Sequence, residues 1–240
     1  MNARERMLGR LRAAAPSSVT IDDVARVDER IDRHYDSRRA ALRCATLSTQ
    51  ALADSMQAAL SASHAEVFRA TERAWPALIA QRLAGANVKR VLLDTSRAEG
   101  AALQQALPSA IAARTYDQPI EDWKAELFDT IDAGFTVARS GIASTGTLIV
   151  APDARSPRTM SLVPPLHIAL VYADSLHVDL HAAMRAEHWQ AGMPTNLVMI
   201  SGPSKTSDIQ QTLAYGAHGP RELWVVIVEH QAGTLRGEQA

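Results

Sequence analysis

The apolar positions follow two different rhythms along the chain. Up to about residue 62 the sequence is rich in Ala and Arg, and Leu42, Leu47, Leu52, Met56 and Leu60 recur at spacings of four and five. That spacing lays an apolar stripe along a helix running from the high thirties to about residue 61. Residues 1–13 read as a separate short helix that ends near Pro16. The segment 1–62 is therefore an N-terminal helical arm, packed on the main domain or on a second subunit.

From residue 63 onward, short apolar runs alternate with helix-period stretches. Strands are expected at Glu66–Phe68, Val88–Leu93, Ile111–Thr115, Phe135–Ala138, Thr145–Val150, Leu166–Tyr172, Leu197–Ile200 and Leu223–Val228. Helices are expected at Ala74–Leu83, Ala98–Leu107, Asp122–Ile131, Val178–Trp189 and Asp208–Ala214. Continuous apolar strands separated by helices imply a mainly parallel sheet covered on both faces. The domain organisation that follows is an α/β domain over 63–231 and a C-terminal tail over 232–240. No internal repeat interrupts the pattern.

Composition narrows the function. The chain has 240 residues, 47% hydrophobic and 21% charged, with a net charge of −1. A near-neutral chain has no field to steer it to nucleic acid or to an acidic membrane. No apolar run approaches the roughly 18–20 residues of a membrane span. Leu166–Ala173, the longest candidate, suits a buried strand. The N-terminus lacks the apolar centre of a secretory signal, so a cytoplasmic location is expected. The single cysteine, Cys44, rules out a disulfide within the chain and an iron–sulfur cluster held by several of its own thiolates.

Three loops carry candidate chemistry. In the first, the strand Leu197–Ile200 runs into Ser201-Gly202-Pro203-Ser204-Lys205-Thr206, and Ser207 and Gln210 have the spacing of a helix-capping box. A helix beginning there aims unpaired N–H groups and a partial positive charge at the loop. Lys205 adds a full charge, and Ser204 and Thr206 add hydroxyl donors. The expected ligand is a small carboxylate or phosphate; the competing reading is a capped helix with Lys205 in water. The second glycine of a nucleotide P-loop is missing. His218-Gly219-Pro220-Arg221 precedes the last strand, where His218 and Arg221 can reach the same anion or form an ordinary turn. In Thr145-Gly146-Thr147, the small residues admit a ligand or another backbone.

Other constellations carry less. If residues 177–188 form an unbroken helix, His177, His181 and His188 fall on one face, but His181 and His188 are then about 10 Å apart along its axis, too far for one metal. Asp94 after the Val88–Leu93 strand reads as a turn or cap. His167, between Leu166 and Ile168, reads as a satisfied core or rim histidine. Cys44 reads as a structural thiol.

Taken in order, Gly141-Ile142-Ala143-Ser144-Thr145-Gly146-Thr147-Leu148, Ser161-Leu162-Val163-Pro164-Pro165-Leu166-His167-Ile168, and Ser201–Ile209 followed by His218-Gly219-Pro220 resemble the lactate-utilization protein C family, also called the LUD-domain family. The resemblance covers about residues 63–230. It implies a three-layer α/β/α sandwich like the NagB/RpiA/CoA-transferase group, and a role in oxidising L-lactate to pyruvate beside iron–sulfur partner proteins. Clusters are then expected on the partner chains only, and none on this one. The implied anion site comprises Thr145, Gly146, Thr147, Ser201, Gly202, Ser204, Lys205, Thr206, His218, Gly219 and Arg221. The family often carries Glu where this chain has Ser144, Arg where it has Lys205, and Glu where it has Gln210. A missing acid at 144 weakens any covalent scheme that needs a carboxylate nucleophile, and the catalytic residues are not fixed. The alternatives are a stand-alone transferase or cyclo-ligase-like enzyme of the same fold group, and an organic-acid-sensing module.

Overall fold

The computed structural model describes residues 3–14, 21–41, 47–207, 213–216 and 218–229. The chain divides into two compact units, Met1–Thr46 and Leu47–Ala240. The first contributes helices α1 (Ala3–Ala14) and α2 (Ile21–Ala41). On α2, Asp23–Arg26, Glu29–Arg33 and Asp36–Arg39 pair at one-turn spacing, each worth only a few tenths of a kcal/mol at the surface.

The second unit opens with α3 (Thr49–Ala62), β1 (Glu66–Thr71), α4 (Trp75–Gly85), β2 (Arg90–Leu92), α5 (Ala98–Ala106), β3 (Ala112–Arg114) and α6 (Ile120–Asp129). Then come β4 (Ala133–Val137), β5 (Ser140–Ile142), β6 (Thr147–Val150), α7 (Thr159–Leu162), β7 (Leu166–Tyr172) and β8 (Leu176–His177). It closes with α8 (Leu180–Ala186), β9 (Val198–Ile200), β10 (Lys205–Ser207), β11 (Leu213–Tyr215) and β12 (Glu222–Glu229).

Six strands form a central sheet in the order β1-β12-β7-β4-β2-β3, every neighbouring pair parallel. Burial on both faces explains why its middle strands read as unbroken apolar runs. Side chains alternate between two cores. Leu166, Ile168 and Leu170 join Trp224, Val226 and Val228 against Trp75, Ile79 and Leu83 of α4 and Leu103 of α5. Ala169 and Val171 join Leu223, Val225 and Ile227 on the opposite face, against Ala53, Met56 and Leu60 of α3. The mixed α/β architecture with a mainly parallel sheet flanked by helices is the one expected.

Three local expectations change. The helix expected from the high thirties to 61 is divided: α2 ends at Ala41, and α3 starts afresh with the Ser48 side chain accepting from Ala51 N–H at 3.2 Å. Leu42 and Cys44 lie outside the described residues, as does the 232–240 tail. Leu52, Met56 and Leu60, read as part of the arm, sit on α3, and the last two are buried in the second unit's core.

The helix expected over Val178–Trp189 is shorter, because residues 176–177 form a strand and Asp179 caps α8 by accepting from Ala182 N–H at 2.8 Å. Third, the helix expected at Asp208–Ala214 is corrected. Residues 205–207 and 213–215 pair antiparallel as β10 and β11, and 208–212 lie outside the described residues. Ser207, the first residue of the expected capping box, lies in a strand, and Gln210 is among the residues outside the description.

Because α3 supplies one wall of the core, Leu60→Ala should destabilise the protein by about 2–5 kcal/mol. Leu11→Ala, 62% exposed on α1, should change stability by less than about 0.5 kcal/mol. Denaturant unfolding of the two variants checks this; equal costs would contradict the packing.

Candidate functional site

β9 lies outside the parallel sheet. It pairs antiparallel with β6 in a four-stranded sheet, β8-β5-β6-β9, because Leu148 and Val150 need a partner layer over α3 and the central sheet. The loop after β9 is therefore carried to the amino ends of β7 and β12, where His167 and Leu223 are register neighbours. There it meets the turn before β12. Ser204 N–H donates to Pro220 C=O at 2.8 Å, Gly216 N–H donates to Ser204 C=O at 3.0 Å, and Gly219 lies against the Ser204 side chain. The two loops share one short backbone clasp.

Between them is a cavity of about 200 Å³. Five of the expected site residues line it: Ser201, Gly202, Ser204, His218 and Gly219. Thr147 stands one bond behind, its hydroxyl 2.7 Å from Ser201 Oγ and 2.7 Å from Thr145 Oγ1. This hydroxyl chain fixes the Ser201 rotamer from the β6 side.

The remaining expected residues are placed elsewhere. Lys205 and Thr206 are on β10, with Lys205 exposed, and neither lines the cavity. Arg221 is likewise off the lining; its N–H donates to Pro165 C=O at 2.8 Å and its aliphatic stem covers Gly216. Gly146 has a φ of +60°, and a Cβ there would lie 2.7 Å from Leu60 N. Gly202, at φ +137°, would bring a Cβ to 2.8 Å from Ser63 O. Both glycines serve the close approach of these loops to α3. Another backbone, rather than a ligand, explains Gly146.

The polar groups that line the cavity are the hydroxyls of Ser161, Ser201 and Ser204 and the imidazoles of His167 and His218. A volume near 200 Å³ is below the roughly 300–1,000 Å³ typical of drug-sized ligands. It suits a molecule of a few heavy atoms.

His167 and Ser161 were not among the expected site residues. Ser161 Oγ donates to Arg158 C=O at 3.0 Å within the turn of α7. His167 is 1% exposed, and its Nε2 lies 2.8 Å from Thr136 Oγ1 on β4. Burial pushes its pKa down to about 3, since a charged ring would lose its hydration with no acid beside it. The apolar neighbours in sequence signalled a core histidine; what they did not signal is that the end of β7 opens onto a cavity.

A second cleft, of about 430 Å³, lies at the carboxyl ends of β2 and β3, lined by Asp94, Thr95, Thr115, Tyr116, Asp117 and Arg155. Parallel sheets commonly bind ligands at that edge. Here Asp94 accepts from Ser96 N–H at 3.0 Å and Ser96 Oγ at 2.6 Å, and pairs with Arg97 at 3.3 Å. Arg97 pairs in turn with Asp153 at 2.6 Å. Asp94 is thus a turn-forming acid. His177, on β8, is half-buried, and burial lowers its pKa against the opposing pull of Glu187 and Asp179. His181 lies on α8, and His188 lies beyond that helix. Among the described residues, no group of three or more His, Cys, Asp or Glu side chains has the proximity to hold a metal ion. No helix among them is long and apolar enough to cross a membrane.

The LUD domain family model matches residues 53–228. An uncharacterized protein of Neisseria meningitidis serogroup B is 42% identical over 173 residues, which are 71% of this chain and 74% of that protein. Lactate utilization protein C of Deinococcus radiodurans is 36% identical over 105 residues, 43% of this chain and 49% of the relative. Lactate utilization protein C of Oceanobacillus iheyensis is 20% identical over 234 residues, covering 94% of this chain and 98% of its own. The crystal structure of a DUF162 family protein from Deinococcus radiodurans, at 1.70 Å resolution, superimposes with a TM-score of 0.55. It covers 76% of this chain and 99% of its own at 24% identity, a likeness of fold.

The histidine burial has a consequence for acid stability. Between pH 6.5 and about 3 the unfolded chain protonates His167 while the native chain does not. Stability is therefore full above pH 6.5 and falls as the pH drops through that window. His167→Gln, which keeps a partner for Thr136 without titrating there, should show a shallower fall in melting temperature between pH 6.5 and 4. Thermal unfolding across that range checks it, and parallel curves would contradict it.

Proposed function

The chain belongs to the LUD domain family, and from that premise we propose that it is a cytoplasmic component of an L-lactate utilization system. It binds a small carboxylate in the cavity between Ser201–Ser204 and His218–Gly219, and acts beside iron–sulfur partner proteins. The observation that carries this reading is the meeting of two successive loops, joined through the backbone of Ser204, on one small cavity that Ser201, Ser204, His167 and His218 line together with apolar side chains. The naming of several relatives as lactate utilization protein C supports the pathway.

The chemistry divides naturally between chains. Oxidising L-lactate to pyruvate removes two electrons and two protons, and one cysteine cannot supply the thiolates of a cluster. The electrons pass to iron–sulfur centres on the partners, and this chain contributes binding and orientation of the acid. The hydroxyls of Ser201 and Ser204 and the ring of His218 supply donors for a carboxylate at the solvent-facing side of the cavity. Lys205 and Arg221, both exposed near its rim loops, supply a local positive field that attracts the acid without touching it.

A strain lacking the gene should grow poorly on L-lactate and normally on glucose. Unimpaired growth on L-lactate, in a strain with no paralogue, would contradict the pathway assignment. Tagged protein recovered from lactate-grown cells should bring down iron-containing partners, read by mass spectrometry and iron content.

A further inference from the structure

We propose that His167 makes the cavity selective for acids carrying an oxygen on C2, a 2-hydroxy or 2-oxo acid, by hydrogen-bonding that oxygen. This rests on the reading of the cavity as a small-acid site and names the class of acid.

His167 is the second residue of β7, hydrogen-bonded into the centre of the sheet between β12 and β4. Its ring is 1% exposed yet forms part of the cavity wall. Thr136, 3% exposed on β4, holds Nε2 at 2.8 Å, which fixes the plane of the ring and leaves Nδ1 as its other polar atom. A neutral imidazole offers one donor and one acceptor. Deep burial keeps this ring neutral, so its complement is a neutral polar group such as a hydroxyl or a ketone.

The carboxylate has a better place. Ser201 and His218 are exposed, and Ser204 lies beside them, so a charge held there keeps part of its hydration. Leu162, Ile200 and Leu223 provide apolar wall for a short alkyl group. A carboxylate at the rim, an oxygen on C2 at His167 and a small apolar tail use each part of the cavity once. An acid lacking the C2 oxygen leaves the ring's polar atom buried without a partner, which is the arrangement that discriminates most strongly against such analogues.

The test compares L-lactate with propanoate, which differs only in the C2 hydroxyl, by calorimetric titration of the purified full-length protein. The wild type should bind L-lactate at least about tenfold more tightly than propanoate. In His167→Leu that preference should fall to near unity while propanoate affinity is retained. Thr136→Val, which releases the ring without removing it, should lower the preference less, and it keeps the test decisive if His167→Leu does not fold. Equal binding of the two acids by the wild type, or a preference that survives both substitutions, overturns the selectivity while leaving the small-acid site standing. Binding of neither acid by the wild type overturns both.

Discussion

A strand hydrogen-bonded along both edges and covered on both faces accepts a polar side chain where that side chain finds a buried hydrogen-bond partner or where the covering layers stop. β7 is that strand. Its residues Leu166, Ile168 and Leu170 are committed to one core and Ala169 and Val171 to the other, and its register is fixed by β12 over Leu166–Tyr172 and by β4 over Leu166–Leu170. His167 is the one polar side chain in its buried run, and it sits at the amino end, where the alternation points it away from the α4–α5 layer. Thr136 satisfies one nitrogen. Everything in the candidate site is arranged around the opening this leaves.

What closes over that opening comes from three separate parts of the chain. The loop after β9 and the turn before β12 are joined through the backbone of Ser204. Backbone bonds of this kind are indifferent to side-chain identity, so the clasp constrains shape without engaging the Ser204 hydroxyl. The third contribution is α7, which brings Ser161 and Leu162 over the same end of the sheet. Gly146 and Gly202 are spent on the approach to α3, and so hold the second sheet, and β9 with it, at the right height. The site is thus a product of layer packing more than of any one motif.

Much of this was legible in the sequence, for identifiable reasons. Leu166–Tyr172 and Leu223–Val228 are aliphatic runs too short for helices, and both are strands. Ser201, Gly202, Ser204, His218 and Gly219 were singled out from loop chemistry and do share one cavity. Less legible was the sheet to which each strand belongs. Leu197–Ile200 looks like any other short apolar run, yet its antiparallel pairing with β6 carries the loop after it to the amino edge of the central sheet, beside His167. Capping-box spacing at Ser207 and Gln210 is local, whereas the β10–β11 pairing joins residues six to ten positions apart. With β10 in place of the start of a helix, Lys205 lies on a strand and off the cavity lining. His167 was read from its apolar neighbours as core, and nothing local reveals that the layers end beside it.

The central claim is that the ligand site lies at the amino edge of the sheet, over His167, and not in the larger cleft at the carboxyl edge. A crystal structure of the protein grown with L-lactate tests this directly. The account predicts density for the acid between Ser204 and Gly219, within hydrogen-bonding distance of the His167 ring. Density for the acid in the cleft of Asp94, Tyr116 and Arg155, with the amino-edge cavity holding only solvent, would contradict it.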